Sequence, residues 1–185
     1  MNIWLRNLSG VKITPDGRHA IVEGGGLVSE LVKTLEAAGK QTSSGLCLCV
    51  GVAGSSLGGG VGPFMGEYGL GLDQIVSARV VLANGEVVTT NDMSHPDLFW
   101  ALKGAGHNFG IVTQMTLRIY DKREDESWVV AFLVFTQDKL EGLFSELSSR
   151  LPGKLGHLSY DLLMVRDPTA DADNVSSEKT AISKR

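Results

Sequence analysis

The chain has 185 residues, of which 43% are hydrophobic and 21% are charged, and its formal net charge at pH 7 is −4. This composition is that of an ordinary globular protein and excludes a disordered or collagen-like chain. The net charge offers no basic field, so we expect neither nucleic acid nor a membrane as a partner. No apolar run approaches the length of a membrane helix, and the first residues are too short and polar for a signal-peptide core, so the localisation stays unknown.

Glycine is the residue type that departs from average usage. The chain has 23 glycines, whereas average usage of about 7% would give about 13. Ten of them lie between Gly45 and Gly71. Glycine costs conformational entropy on folding, so a packed domain keeps it for tight turns with positive φ or for close approach of the backbone to a ligand.

The first predicted element is a hairpin, in which residues 11–13 and 19–22 flank the turn triplet Pro15-Asp16-Gly17. Apolar residues at helical spacing then predict a helix over residues 27–35 that stops at Gly39. Residues 45–71 have no clean period and are predicted to be mostly loop.

The next elements are a second hairpin, a helix and a strand. Residues 75–82 and 86–90 are predicted to pair around Asn84-Gly85. Ser94 is predicted to cap a short helix whose first turn contains Pro96. The β-branched segment 111–119 predicts a strand.

The pattern changes after Tyr120. The charge run 121–126 is predicted to be a solvated linker. Strands over residues 128–135 and 158–165 are expected to pair beside an amphipathic helix over residues 139–151. Residues 167–185 are polar, and no closing element is predicted there. A unit of this size cannot bury both faces of its strands, so we expect it to be incomplete.

Three segments could carry chemistry. The glycine-rich segment 54–62 is either a phosphate cradle made of backbone N–H groups or a structural turn, and it is neither a P-loop nor a Rossmann fingerprint. Cys47 and Cys49 are either buried packing residues or a nucleophile and its neighbour. On an extended segment their Cα atoms would lie near the limit for a disulfide.

The third segment, residues 104–110, joins a helix to a strand. It either presents Asn108 and N–H groups to a planar ligand or forms a helix C-cap. His107 is either a catalytic base or a surface residue. The three tryptophans, Trp4, Trp100 and Trp128, are predicted to be packing residues, and no Cys or His cluster indicates a metal site.

Several motifs in a fixed order resemble one known family. They are Gly45-Leu46-Cys47-Leu48-Cys49-Val50-Gly51, the segment 54–62, Tyr68-Gly69-Leu70-Gly71-Leu72-Asp73, the segment 80–86, the segment 97–104 and Asn108-Phe109-Gly110-Ile111-Val112-Thr113. Together they resemble the FAD-binding domain of the vanillyl-alcohol oxidase / p-cresol methylhydroxylase superfamily. The branch they resemble is the berberine-bridge-enzyme-like oxidases in their fungal FAD-linked oxidoreductase form, from about residue 3 to about residue 173.

The resemblance implies an α+β fold: an FAD-binding PCMH-type subdomain, mostly antiparallel sheet with flanking helices, plus an incomplete α+β substrate domain. It implies FAD as the cofactor, with its pyrophosphate along residues 54–62 and its flavin near residues 106–112, and it puts Cys47 at the position where many family members attach the flavin through sulfur. The implied chemistry is hydride transfer from a small-molecule substrate to flavin N5 and reoxidation by oxygen, in fungal-type secondary metabolism. The implied cofactor-binding residues are Cys47, Gly51, Gly54, Ser55, Gly58, Gly59, Gly60, Gly69, Leu70, Asp73, Gly106, Asn108, Gly110, Ile111 and Val112. The resemblance indicates no catalytic base in this chain.

The chain departs from the family pattern at both ends, because neither the Arg-x-Gly-Gly-His segment that contacts FAD nor the C-terminal flavin-contacting segment is found in it. We therefore predict that residues 1–120 are an FAD-binding domain lacking its N-terminal part, residues 121–173 the start of a substrate domain and residues 174–185 a polar tail. The alternative to an oxidoreductase is a truncated, non-catalytic remnant that binds FAD weakly or not at all. A nicotinamide-dependent dehydrogenase is disfavoured.

Overall fold

The computed structural model describes residues 3–123, 131–135, 137–150, 160–166 and 178–184. It divides into two compact units, Met1–Glu124 and Asp125–Arg185. No helix in the described part of the chain is long and apolar enough to cross a membrane. The domain boundaries drawn from the sequence stay a prediction.

An antiparallel sheet forms the centre of the first unit. The strands of this unit are β1 (Val11–Ile13), β2 (His19–Glu23), β3 (Lys40–Gln41), β4 (Ile75–Val81), β5 (Val87–Thr90), β6 (Ile111–Arg118) and β7 (Tyr120–Asp121). Five of them form one sheet in the order β1-β2-β6-β4-β5, while β3 pairs with β7. Both predicted hairpins are confirmed, since β1 pairs with β2 and β4 pairs with β5.

Helices cover one face of this sheet and close the core. They are α1 (Val28–Ala37), α2 (Val52–Leu57), α3 (Met65–Tyr68) and α4 (Pro96–Ala105), with 3-10 turns at Gly71–Gln74 and Gly106–Asn108. Helix α1 buries Val28, Leu31 and Leu35, which share one helical face. The β strands contribute alternate residues, such as Ala20 and Val22 on β2, to the same core. The predicted mostly antiparallel sheet with flanking helices is confirmed.

Residues 45–71 are mostly loop, as predicted, although the two short helices α2 and α3 lie within them. Two local predictions are wrong. The N-cap of α4 is His95, with φ 48°, whereas the Ser94 hydroxyl donates to the Thr89 carbonyl. Trp4 and Trp100 are 81% and 80% exposed, so neither is a packing residue of this unit. Trp128 lies outside the described residues.

The second unit has a different strand order from the one expected. Its elements are β8 (Ala131–Phe135), a 3-10 turn (Gln137–Lys139), α5 (Leu140–Arg150), β9 (Tyr160–Arg166) and β10 (Glu178–Lys184). The predicted helix is confirmed. The strands β8 and β9 do not pair directly, because β10 lies between them and is antiparallel to both. The sequence indicated no strand at β10, since its residues lack a clear alternation of apolar and polar side chains.

Candidate functional site

The glycine-rich segment is built around the short helix α2. Gly51 is its N-cap and Gly58 its C-cap, and the Ser55 N–H donates to the Gly51 carbonyl at 3.1 Å. Val52, Ala53, Ser56 and Leu57 are buried. Gly54 and Gly58, four residues apart, are exposed on the opposite side. At Gly54 the outward face of α2 is therefore bare backbone, with the half-buried Ser55 next to it.

None of the described residues outside α2 explains why position 54 is a glycine. A Cβ atom at Gly54 would meet no other atom within 4 Å, and the residue is helical. Glycine in a helix interior destabilises the helix by roughly 0.5–1 kcal/mol relative to alanine. Glycine at position 54 thus lowers helix stability, and packing does not explain why it is there. This is expected where a ligand approaches the backbone closely.

Other glycines of the segment are required by the fold itself. A Cβ at Gly62 would lie 1.7 Å from the Ser44 carbonyl oxygen, and one at Gly60 would lie 2.8 Å from Gly71 Cα. Gly59 has φ 135° and Gly60 has φ 78°, conformations that favour glycine. Some glycines of the segment are therefore required by the fold, whereas Gly54 is not, and the sequence alone does not distinguish these two groups.

The cysteine segment forms a turn at the N-terminal end of α2. The Val50 N–H donates to the Cys47 carbonyl at 3.4 Å, which closes the turn. The first turn of α1 holds it in place, since the N–H groups of Val28 and Ser29 donate to the carbonyls of Val50 and Leu48, both at 3.0 Å. Residues 47–50 thus form a turn rather than an extended segment.

Cys47 and Cys49 are both exposed, so the interpretation of them as buried packing residues is also wrong. The turn brings their sulfur atoms to 2.8 Å. The Cys49 thiol donates a hydrogen bond that lowers the pKa of Cys47, and the backbone N–H of Cys49 lowers it further. The same hydrogen bond raises the pKa of Cys49. Cys47 is thus the sulfur that ionises first, and the thiolate is the nucleophilic form of cysteine.

The loop after α4 lies at the C-terminal end of α2. The His107 imidazole Nε2 is 3.5 Å from the position of a Cβ at Gly58. Gly106 is buried against Leu57, whose Cδ2 would be 2.8 Å from an added Cβ. We call the exposed region of Cys47, Gly54, Gly58 and His107 the α2 surface.

The side chain of Asn108 makes its hydrogen bond within the loop itself. Its amide Nδ2 donates to the Ala105 carbonyl at 3.2 Å. The regular helix α4 ends at Lys103 and Gly104, where φ and ψ are no longer helical. These contacts support the C-cap interpretation of the loop, and they leave the side chain of His107 exposed.

Gly69, Leu70 and Asp73 form a turn beside the end of α2. The Leu70 N–H donates to Asp73 Oδ2 at 2.8 Å, and Gly69 has φ 84°. The turn is tied to the glycine segment because the N–H groups of Gly71 and Leu72 donate to the carbonyls of Gly60 and Gly59. These hydrogen bonds hold the turn against the C-terminal end of the glycine-rich segment.

The remaining residues of the implied set lie at the start of β6. Gly110 has φ 151°, and an added Cβ would lie 2.6 Å from the Val81 carbonyl oxygen. Val112 is 4% exposed, so its side chain belongs to the core. Ile111 is half-buried. The side chain of Val112 is therefore not available to a ligand, and Gly110 is required by the fold.

Sequence reasoning missed the buried polar stretch Gln41–Ser44, which precedes the cysteine turn. All four side chains are buried, and Gln41 donates to the Tyr68 hydroxyl at 3.0 Å. Within the described residues, the buried Ser43 Oγ has no hydrogen-bond partner. A buried hydroxyl without a partner is costly, and a bound ligand or water would satisfy it. The only sequence signal was an unusual run of four polar residues without charge.

Comparison with known proteins agrees with this geometry. Residues 1–91 match the FAD binding domain family. FAD-linked oxidoreductase chyH of Penicillium rubens is 43% identical over 180 residues, which are 94% of this chain and 35% of that protein. FAD-linked oxidoreductase iacH of Pestalotiopsis fici is 47% identical over 142 residues, 77% of this chain and 27% of that protein.

Residues 1–91 belong to this family of FAD-binding domains. Solved structures agree: 6-hydroxy-D-nicotine oxidase of Arthrobacter nicotinovorans has a TM-score of 0.81 at 29% identity, over 97% of this chain and 38% of that chain. The berberine-bridge-enzyme-like protein 1 of Physcomitrella patens has a TM-score of 0.77 at 28% identity, over 97% and 37%. The chain thus spans about a third of the length of the curated relatives, 35% for chyH and 27% for iacH.

FAD is the cofactor of this family, and the described residues fit it in three respects. The bare backbone at Gly54 leaves room for a flat ligand, the buried Ser43 Oγ lacks a partner among the described residues, and Cys47 offers an exposed thiol. Segment 41–66 contains no charged residue. Any contact from this segment to a phosphate would therefore come from neutral donors, such as backbone N–H groups and hydroxyls, rather than from a cation.

Proposed function

We propose that this chain binds FAD against the α2 surface as part of an FAD-linked oxidoreductase that acts on a small molecule. The observation that carries the proposal is the exposed helical glycine at position 54, which none of the described residues outside α2 explains. The relatives named as FAD-linked oxidoreductases support the same class. The proposed setting, a fungal-type secondary metabolic pathway, follows the resemblance to those relatives.

Apolar side chains border the bare backbone. Leu48 is 56% exposed and Val61 is 51% exposed, while Val50 lies at the edge of the same turn. Exposed apolar groups beside a glycine face are typical of a surface that a ligand covers. We propose that they exclude water from one side of the flavin ring and fix its plane.

When bound, FAD would supply the redox chemistry, namely hydride acceptance from a substrate carbon, with oxygen as the proposed final acceptor of the electrons. The chain's own residues orient the cofactor and set its surroundings. We propose that Cys47 makes the covalent link to the flavin, because its thiol is exposed and its pKa is lowered by Cys49. The choice of Cys47 over Cys49 follows the resemblance, in which Cys47 and not Cys49 stands at the attachment position.

The visible spectrum of the purified chain tests the proposal. We expect a flavin band, and we expect part of the flavin to stay with the protein after acid precipitation. A Cys47→Ala variant should release all of its flavin into the supernatant, whereas Cys49→Ala should retain some. A colourless protein that takes up no added FAD would favour the non-catalytic alternative. Flavin that washes away from the unmodified protein would contradict the covalent link alone.

A further inference from the structure

Cys49 has no role in the proposed attachment of FAD, yet its sulfur is 2.8 Å from that of Cys47. Both thiols are exposed. Two such thiols are accessible to a small oxidant in solution. The pair is therefore a feature of this chain that flavin binding does not explain.

The turn holds the two cysteines together from both sides. The hydrogen bond from the Val50 N–H to the Cys47 carbonyl closes the turn. The Ser29 N–H holds Leu48, the residue between the cysteines, and a β-bridge joins Leu27 to Gly51 just beyond them. On an extended strand the two Cα atoms would be roughly 6.6–6.8 Å apart, near the upper limit for a disulfide. The turn brings the two sulfur atoms to 2.8 Å, and its hydrogen bonds to α1 hold this arrangement.

We propose that Cys47 and Cys49 form a reversible dithiol–disulfide site that reacts with low-molecular-weight disulfides such as oxidised glutathione. The Cys47 thiolate attacks one sulfur of glutathione disulfide and releases one glutathione thiolate, leaving a mixed disulfide on Cys47. The Cys49 thiolate then attacks Cys47 Sγ, forms the Cys47–Cys49 bond and releases the second glutathione. The protein loses two thiol protons and two electrons, and one glutathione disulfide becomes two glutathione molecules.

The disulfide would affect the covalent attachment of flavin, a consequence that rests on the proposed function. A sulfur in the Cys47–Cys49 disulfide is not available for a thioether to flavin, so disulfide closure and covalent attachment exclude each other. Cys49 would then control when Cys47 can react. A metal is the weaker occupant, because the described residues contain no group of three or more His, Cys, Asp or Glu side chains that could hold one.

Intact-mass measurement on the full chain, freed of non-covalent flavin, tests the site with oxidised glutathione as the probe. Molecules that already carry covalent flavin are resolved by mass and left out of the count. We expect the unmodified protein to lose two hydrogen masses, to keep no glutathione and to remain monomeric on a non-reducing gel. The Cys49→Ala variant should instead accumulate one glutathione adduct, and dithiothreitol should reverse both changes.

Three outcomes would overturn the proposal: a stable glutathione adduct on the unmodified protein, a disulfide between two chains, or no reaction in both proteins. The Cys47→Ala variant, which keeps only the exposed Cys49 thiol, should likewise accumulate one glutathione adduct, and an internal disulfide cannot form in it. No FAD takes part in the measurement, so its failure is distinguishable from failure of the proposed FAD binding.

Discussion

Replacing Gly62 with alanine is expected to destabilise the first unit by about 3 kcal/mol or more, at the upper end of overpacking effects. The added Cβ would lie 1.7 Å from the Ser44 carbonyl oxygen and 2.9 Å from its carbon. These atoms belong to the backbone of a buried segment, so no side chain can rotate to make room. The free energy of unfolding from urea titration measures the effect.

The matched control is Gly54→Ala, which adds the same methyl group to a helical residue with open space around it. We expect this variant to be as stable as the unmodified protein or more stable by up to about 1 kcal/mol, because alanine favours the helix. Equal stability of Gly62→Ala and Gly54→Ala would contradict the division of the glycines into structural and ligand-facing groups.

The second large effect is expected on FAD binding. A Gly54→Leu variant should bind FAD at least about tenfold more weakly, a change of about 1.4 kcal/mol, because its side chain would occupy the face that the cofactor contacts. Leucine is also a better helix former than glycine, so the fold should not be weakened. Quenching of FAD fluorescence on titration with protein gives the dissociation constant.

Gly142→Leu is the control for this experiment. Gly142 is also exposed and helical, and a Cβ there would meet no other atom within 4 Å, but it lies on α5 in the second unit. We expect its FAD affinity to be unchanged. Gly59→Val is a poorer test, because φ 135° at Gly59 would add backbone strain to any steric exclusion. An unchanged FAD dissociation constant in the Gly54→Leu variant would contradict the proposal that FAD binds at the α2 surface.

Local patterns predicted most elements of the first unit because each is encoded by neighbouring residues. The triplet Pro15-Asp16-Gly17 and the pair Asn84-Gly85 each specify a turn, and both hairpins formed. The spacing of Val28, Leu31 and Leu35 likewise specified the buried face of α1. These signals need no information about the rest of the chain.

Non-local contacts account for what the sequence did not predict. The contact between Gly62 and Ser44 and the contact between Gly58 and His107 join residues distant in sequence, so composition could not separate structural from ligand-facing glycines. The cysteine turn depends on N–H groups of α1, which a reading of residues 47–49 alone does not contain. Strand β10 similarly owes its place to two partners, β8 and β9, rather than to its own pattern.

Amide hydrogen exchange of the purified chain, measured with and without saturating FAD, tests the central claim most directly. If FAD lies against the α2 surface, exchange should slow across the cysteine turn and α2, residues 47–58, as well as at His107. The hairpin of β1 and β2 should serve as the internal reference and remain unchanged. Protection confined to other parts of the chain, or no protection at saturating FAD, would contradict the account.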